Sequence, residues 1–191
     1  MVAHSFGAGA ATELALRAPN RVSALVLIDA ALGTIDPAAS APSITERGLA
    51  LPLLGQPAIA ATLTNPWAIG PLARSMLARK GAAAAWRETL RAPMRRSGTT
   101  AAYAAWVPQL FAADDGAWSR RSARLAAIRM PVAILWGEAD TVTPVAQGEA
   151  LARLLRARRL TRLPGLGHVP HIEDPALFRS ALDAAIKDLA P

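Results

Sequence analysis

The 191-residue sequence contains no cysteine. This absence excludes disulfide scaffolds, zinc–thiolate sites, iron–sulfur clusters and a cysteine nucleophile. Charged residues are also sparse, at 18% against 52% hydrophobic residues, and aromatic residues amount to only 5%. A chain of this composition is folded rather than disordered and is able to bury a sizeable core. Its length favours one domain, with room for an insertion.

Basic residues outnumber acidic ones, 21 against 14, which gives a formal net charge of +7. The basic residues are scattered, and the closest are short pairs such as Arg95–Arg96 and Arg158–Arg159. Nucleic-acid-binding segments usually contain longer basic runs together with aromatic residues on which bases stack. We therefore expect a solvated, arginine-rich surface and no nucleic-acid partner.

The N-terminus lacks the basic region and the apolar region of a signal peptide. The stretch 48–73 carries no charge, but prolines interrupt it at four positions, Pro52, Pro57, Pro66 and Pro71. Proline breaks a membrane-spanning helix, so we expect short apolar helices over a core and no membrane span. With no targeting signal visible, a cytoplasmic location is the expectation.

Two continuous apolar runs, 24–28 and 131–136, predict strands that are buried on both faces. A third run, 159–163, alternates and predicts an edge strand. Helical patterns separate these runs, and starting signals for helices stand at Thr143–Pro144 and Asp174–Pro175. Alternation of strands and helices at both ends of the chain predicts a parallel α/β sheet.

The middle of the chain shows no convincing strand and contains most of the aromatic residues. It has alanine-rich helical segments that are broken by proline and glycine. We therefore predict a core formed by 1–33 and 126–191, with a helical cap or lid inserted over 34–125.

Residues 3–7, AHSFG, follow the pattern small-x-Ser-x-small, at a point where a strand should end and a helix begin. This is the pattern of a nucleophile elbow, a tight turn that lifts a serine Oγ clear of the backbone. The small flanking residues are expected to avoid clashes with neighbouring elements. The backbone N–H of Phe6 would then face a developing oxyanion. The alternative is that Ser5 simply caps the helix.

Two further loops carry groups that suit the same chemistry. Asp140 follows the buried strand 131–136, where a carboxylate is able to orient an imidazole. His168 lies on a glycine loop after the edge strand, where a base is able to reach a serine on another strand. The alternatives are that Asp140 caps a turn and that His168 is a surface histidine.

The chain order Ser5, Asp140, His168 is that of the α/β-hydrolase triad, and each residue follows a predicted parallel strand. The chain thus resembles the cap-bearing serine branch of the α/β-hydrolase superfamily. Residues 25–29 resemble its sixth strand, 131–144 its seventh strand and acid loop, and 165–175 its histidine loop. The resemblance covers the whole chain, the middle only loosely, and implies a partial fold with the equivalents of strands five to eight.

The resemblance implies that Ser5 is the nucleophile, His168 the base and then the acid, and Asp140 the residue that orients His168. It implies acyl transfer to water on an apolar, ester-like small molecule, without cofactor or metal. Serine at the elbow argues against epoxide hydrolases and haloalkane dehalogenases, which use aspartate there. Three alternatives stay open: Asp29 as the acid, a carbon–carbon bond hydrolase of ring-cleavage products, and a non-catalytic remnant.

Substrate contacts are expected from His4, Trp67 and Trp106, although His4 is better interpreted as a packed elbow residue. In the family the elbow follows a fifth strand, and an earlier loop supplies a second oxyanion N–H. Here Ser5 is the fifth residue. We therefore expect an N-terminally truncated chain with impaired catalysis. We also expect an exposed strand edge at which two copies are able to dimerise.

Overall fold

The computed structural model describes residues 1–32, 52–110 and 116–190. Its strands are β1 (Val2–His4), β2 (Leu25–Ile28), β3 (Val132–Gly137) and β4 (Arg159–Leu163). Its α-helices are α1 (Gly7–Arg17), α2 (Pro52–Ala61), α3 (Ile69–Met76), α4 (Ala83–Met94), α5 (Thr99–Leu110), α6 (Ser122–Leu125), α7 (Val145–Leu155), α8 (Pro170–Glu173) and α9 (Pro175–Leu189). Short 3-10 turns occur at Pro19–Arg21, Lys80–Ala82 and Trp118–Arg120.

The chain forms two compact units. The first consists of Met1–Pro37, Met76–Arg79 and Ala117–Pro191, and the second of Ala38–Ser75 and Lys80–Gly116. The first unit therefore includes 76–79 and 117–125, which the sequence had placed within the insertion. That the second unit is a cap stays a prediction.

The four strands form one parallel sheet in the order β1-β2-β3-β4, which confirms the predicted parallel α/β fold. The register places Ala3 opposite Leu27, Leu27 opposite Ile134, and Ile134 opposite Leu160. Every residue of β2 and β3 is buried, as expected for strands that are covered on both faces. Strand β4 pairs only with β3 in the described sheet, which confirms the predicted edge strand, and it is less buried than β2 and β3.

Helices cover both faces of this sheet. On one face, α1 and α7 pack against the sheet through the buried side chains of Ala11, Ala15, Leu25, Leu27, Val132, Ile134, Trp136, Leu151 and Leu155. On the other face, α9 packs through Val26, Ile28, Ala133, Leu135, Leu163, Ala185 and Leu189. The core is thus split by the sheet, with successive residues of a strand facing opposite layers.

Strand β1 lies at the other margin of the sheet, where Met1 and Val2 are each 47% exposed. Among the described residues β1 pairs only with β2. Association of two copies through this margin stays a prediction.

The second unit, as far as it is described, consists of helices and a short 3-10 turn. Ile59 and Val107 are buried within it. The Thr64 and Thr100 hydroxyls are 2.8 Å apart. In 1–32, 52–110 and 116–190, no helix combines the length and the apolarity that crossing a membrane requires.

Gly148 allows α7 to contact the indole of Trp136. A Cβ at Gly148 would lie 2.6 Å from two ring carbons of that fully buried side chain. We expect Gly148→Ala to lower the free energy of unfolding by about 1–3 kcal/mol, because the indole has no space into which to move. Gly9→Ala in α1 is the matched control, since a Cβ there meets no atom within 4 Å. Alanine should raise stability at Gly9 by up to about 1 kcal/mol. Urea denaturation of both variants checks this, and an unchanged Gly148→Ala midpoint would contradict the packing argument.

Candidate active site

Ser5 lies in the tight turn between β1 and α1. Its φ of +49° is in the left-handed region, which is unfavourable for a residue with a Cβ. The end of β2 holds the turn in place. The N–H of Ser5 donates to the Ile28 carbonyl at 2.9 Å, and its carbonyl accepts from the Ala31 N–H at 3.0 Å. Backbone contacts thus maintain the strained conformation and present the serine side chain at the carboxyl edge of the sheet.

The expectation that small flanking residues avoid clashes is wrong at Gly7, because a Cβ there would meet no atom within 4 Å. Ala3, on the other flank, packs against the core between the sheet and α1. The conformational strain of the turn is therefore carried by Ser5 itself.

His168 connects Ser5 to Asp140 through its two ring nitrogens. Its Nε2 is 2.7 Å from Ser5 Oγ, and its Nδ1 is 2.8 Å from Asp140 Oδ2. Because a carboxylate only accepts, the neutral ring carries its hydrogen on Nδ1, and the serine hydroxyl donates to Nε2. The His168 side chain is completely buried. Three residues that the sequence had singled out thus form one hydrogen-bonded chain.

Asp140 caps a turn and also faces His168, so its two predicted roles coexist. Its Oδ1 accepts from the Val142 and Thr143 N–H groups at 2.7 and 3.0 Å. Its Oδ2 accepts from the Thr143 hydroxyl at 2.6 Å as well as from His168. Burial opposes ionisation, but the hydrogen bonds from His168 and Thr143 outweigh it and lower the pKa of Asp140.

The predicted role of Thr143 as the cap of the following helix is wrong. Helix α7 begins at Val145, its N-cap is Pro144, and no side chain caps it. The Thr143 hydroxyl instead donates to Asp140, which needs hydrogen-bond donors because it is a nearly buried carboxylate.

The acid loop and the base loop are joined by their backbones. The Ala139 N–H donates to the Leu166 carbonyl at 2.9 Å. Gly137 approaches the base loop so closely that a Cβ there would lie 2.2 Å from the Gly167 carbonyl oxygen. Glycine is required at 137 for this approach.

Glu173 ties the base loop to the segment Met76–Arg79. Its Oε1 accepts from the Gly167 N–H at 2.8 Å, and its Oε2 accepts from the Arg79 N–H at 2.7 Å. In the same place the His168 N–H donates to the Met76 carbonyl at 3.0 Å. The sequence analysis did not identify the 76–79 segment as a partner of the base loop, because backbone groups leave no sequence signal.

His4 lies against the base loop. Its Nε2 donates to the His168 backbone carbonyl at 2.7 Å, and its ring packs edge-on against His171, with the centroids 5.0 Å apart. Burial, partly offset by that hydrogen bond, lowers the pKa of His4 to about 4. A direct contact between His4 and substrate stays a prediction.

Asp29 directly follows β2 beside this site, but it is not hydrogen-bonded to His168. Its Oδ1 accepts from the Gly137 N–H at 2.7 Å, whereas its Oδ2 is buried without a hydrogen-bond partner. Burial, opposed by the bond from Gly137 and reinforced by the charge of Asp140, raises the pKa of Asp29 to about 8. Asp29 is therefore a neutral carboxylic acid at neutral pH, and the observed partner of His168 is Asp140.

The remaining predicted site residues are exposed. Phe6 is the N-cap of α1, and its side chain is 45% exposed. Trp67 and Trp106 belong to the second unit and are 78% and 41% exposed. Their contacts with substrate stay predictions. No group of three or more His, Asp or Glu side chains that could hold a metal ion occurs in the part of the chain that the structure describes.

A family model for the alpha/beta hydrolase fold matches residues 1–175. The chain belongs to the alpha/beta hydrolase fold family. No curated protein sequence matches it. Solved structures of other alpha/beta hydrolases superpose on nearly the whole chain, at low sequence identity.

One such structure is 2-hydroxy-6-oxo-6-phenylhexa-2,4-dienoate hydrolase from Rhodococcus sp. strain RHA1, with a TM-score of 0.69, 16% identity, and coverage of 97% of this chain and 63% of that one. A thermophilic esterase from Thermogutta terrifontis gives a TM-score of 0.70 and 20% identity, with 99% and 65% covered. A meta-cleavage product hydrolase from Pseudomonas fluorescens IP01 gives a TM-score of 0.68 at 18% identity, and the match covers 99% of this chain and 64% of that one. The present chain thus spans less than two thirds of each of these hydrolases.

In this alpha/beta hydrolase the left-handed conformation of Ser5 should be measurable as stored strain. We expect Ser5→Gly to be more stable than Ser5→Ala by about 0.5–1 kcal/mol, because both variants lack the hydroxyl but only alanine keeps the strained Cβ. Chemical denaturation of the two variants side by side provides the comparison. Equal stabilities would mean that the elbow stores no strain.

The buried carboxylic acid of Asp29 predicts a pH dependence of stability. Between about pH 4 and pH 8 the unfolded chain ionises Asp29 while the folded chain keeps it protonated. The free energy of unfolding therefore loses up to about 1.4 kcal/mol per pH unit from this group as pH rises. Asparagine does not titrate and tolerates the φ of +42° at this position. Asp29→Asn should therefore gain stability relative to the wild type from pH 5 to pH 8 in urea denaturation, whereas parallel pH profiles would refute this assignment.

Proposed function

We propose that this chain is a serine hydrolase that transfers the acyl group of an ester-like substrate to water. The observation that carries the proposal is the hydrogen-bonded chain from Ser5 Oγ through His168 to Asp140. It combines a nucleophile, a base within hydrogen-bond distance, and a buried carboxylate that orients the base.

Ser5 Oγ attacks the acyl carbon while its proton passes to His168 Nε2. The tetrahedral intermediate collapses, and the leaving alkoxide takes that proton from His168 and departs as an alcohol. Water then attacks the acyl-enzyme and gives a proton to Nε2, and collapse of the second intermediate returns it to Ser5 Oγ. Asp140 holds the Nδ1–H in place and stabilises the imidazolium during both steps.

The oxyanion of each intermediate would be bound at the start of α1. We assign the backbone N–H of Phe6 as a donor, supported by its place directly after Ser5 and at the N-cap of that helix. The positive end of the helix dipole favours negative charge there. Phe6 is the one donor that we assign among the described residues.

We propose an apolar acyl group and interpret the second unit as the cap of the hydrolase fold. The stretch 48–73 has no charged residue, and Trp67 and Trp106 expose large apolar surfaces. An uncharged segment with exposed aromatic side chains favours the binding of an apolar substrate.

Hydrolysis of a carbon–carbon bond in ring-cleavage products is the alternative reaction. The Rhodococcus structure is a dienoate hydrolase and the Pseudomonas structure is a meta-cleavage product hydrolase, whereas the Thermogutta structure is an esterase. Comparing the rates of a p-nitrophenyl ester and a ring-cleavage dienoate on the same preparation distinguishes the two reactions.

A fluorophosphonate probe tests the nucleophile directly. We expect a single covalent adduct on Ser5, detected by intact mass and peptide mapping. We expect no adduct in Ser5→Ala, and labelling slower by about 10³-fold or more in His168→Gln, because the base is lost. Ser75→Ala is the control, since the Ser75 hydroxyl donates to the Leu72 carbonyl and takes no part in the site.

A folded wild-type chain that never labels would reject the enzymatic proposal in favour of a non-catalytic remnant. Circular dichroism of each variant establishes that it is folded.

A further inference from the structure

The imidazole of His4 is half-buried next to the nucleophile, yet the acyl-transfer steps do not use it. We propose that His4 is a positioning residue, whose Nε2–H holds the His168 carbonyl and thereby keeps the base within reach of the elbow. The inference rests on the proposed function and adds a residue to its machinery.

The His168 peptide groups are held on both sides. The carbonyl accepts from His4 Nε2 at 2.7 Å, and the N–H donates to the Met76 carbonyl at 3.0 Å. With both backbone groups held, the base is fixed independently of the bonds that its ring makes. Without the donor at His4, the carbonyl would lose this bond, and the His168 peptide would be held only through its N–H.

The hydrogen bond from His4 to the His168 carbonyl joins two parts of the site that are distant in sequence. His4 is the last residue of β1 and directly precedes Ser5, whereas its bonded partner lies 164 residues away. One side chain therefore connects the nucleophile turn to the base loop. This connection does not pass through the hydrogen bond between Ser5 Oγ and His168 Nε2.

The two connections differ once the enzyme is acylated. Acylated Ser5 Oγ has no proton to donate, so its hydrogen bond to Nε2 is lost. The bond from His4 persists and keeps His168 in place to activate water. The geometry therefore assigns His4 its main effect in deacylation.

The first experiment needs no turnover and is done in a Ser5→Ala background. This substitution removes the hydrogen bond between Ser5 Oγ and His168 Nε2, as acylation does. In Ser5→Ala, the far-downfield proton resonance of His168 Nδ1–H should stay sharp. Adding His4→Leu should raise its solvent-exchange rate by about tenfold or more, and His4→Gln, which keeps a donor at the corresponding reach, should restore it. His171→Phe in the same background is the control, because phenylalanine keeps an aromatic ring packed against His4 at this position. An unchanged exchange rate after His4→Leu would overturn the proposal.

Burst kinetics with a p-nitrophenyl ester then test the consequence. We expect His4→Leu to slow the steady phase by about 10–10²-fold and the burst by less than about threefold, with recovery in His4→Gln. Equal slowing of both phases would overturn the assignment to deacylation. A wild type without a burst or turnover would reject the proposed hydrolase activity, while the resonance experiment would still decide the positioning role.

Discussion

Parallel strand pairing is the constraint on which the rest of this structure depends. All four strands run in one direction, so their carboxyl ends meet at one edge of the sheet. Ser5 follows β1, Asp140 follows β3 and His168 follows β4, and they meet there although Ser5 and His168 are 163 residues apart in sequence. The burial of β2 and β3 on both faces makes the register rigid, because a slip would move apolar side chains to the wrong layer.

Strain and buried polarity concentrate at this edge. Ser5 and Asp29 directly follow neighbouring strands and both have positive φ values, which few residues with side chains adopt. Asp140 stays ionised because four hydrogen bonds reach it, whereas Asp29 has one and keeps its proton. Two neighbouring carboxyl groups thus take opposite protonation states, because burial raises the pKa of Asp29, whereas hydrogen bonds from His168 and Thr143 outweigh the burial of Asp140.

Much of the fold could be predicted because the signals are local. The apolar runs 24–28 and 131–136 are strands in the structure, with bounds shifted by one residue at most. Asp140 was identifiable from its place after the run 131–136, His168 from its place after the run 159–163, and Ser5 from the pattern of residues 3–7. The Met76 carbonyl could not be identified from the sequence, because every residue has a backbone carbonyl. The partner of Thr143 was also missed, because a threonine before a proline predicts a helix cap equally well, and only the buried carboxylate beside it decides otherwise.

The close approach of Gly137 to Gly167 has a consequence for how this fold tolerates recombination. The two loops share backbone hydrogen bonds, and no side chain fits between them at residue 137. Acid and base are therefore carried by one rigid body assembled from two separate stretches of chain. A graft that exchanged only 137–144 or only 163–173 with another alpha/beta hydrolase would break that body. Chimaeras should exchange the two stretches as a pair.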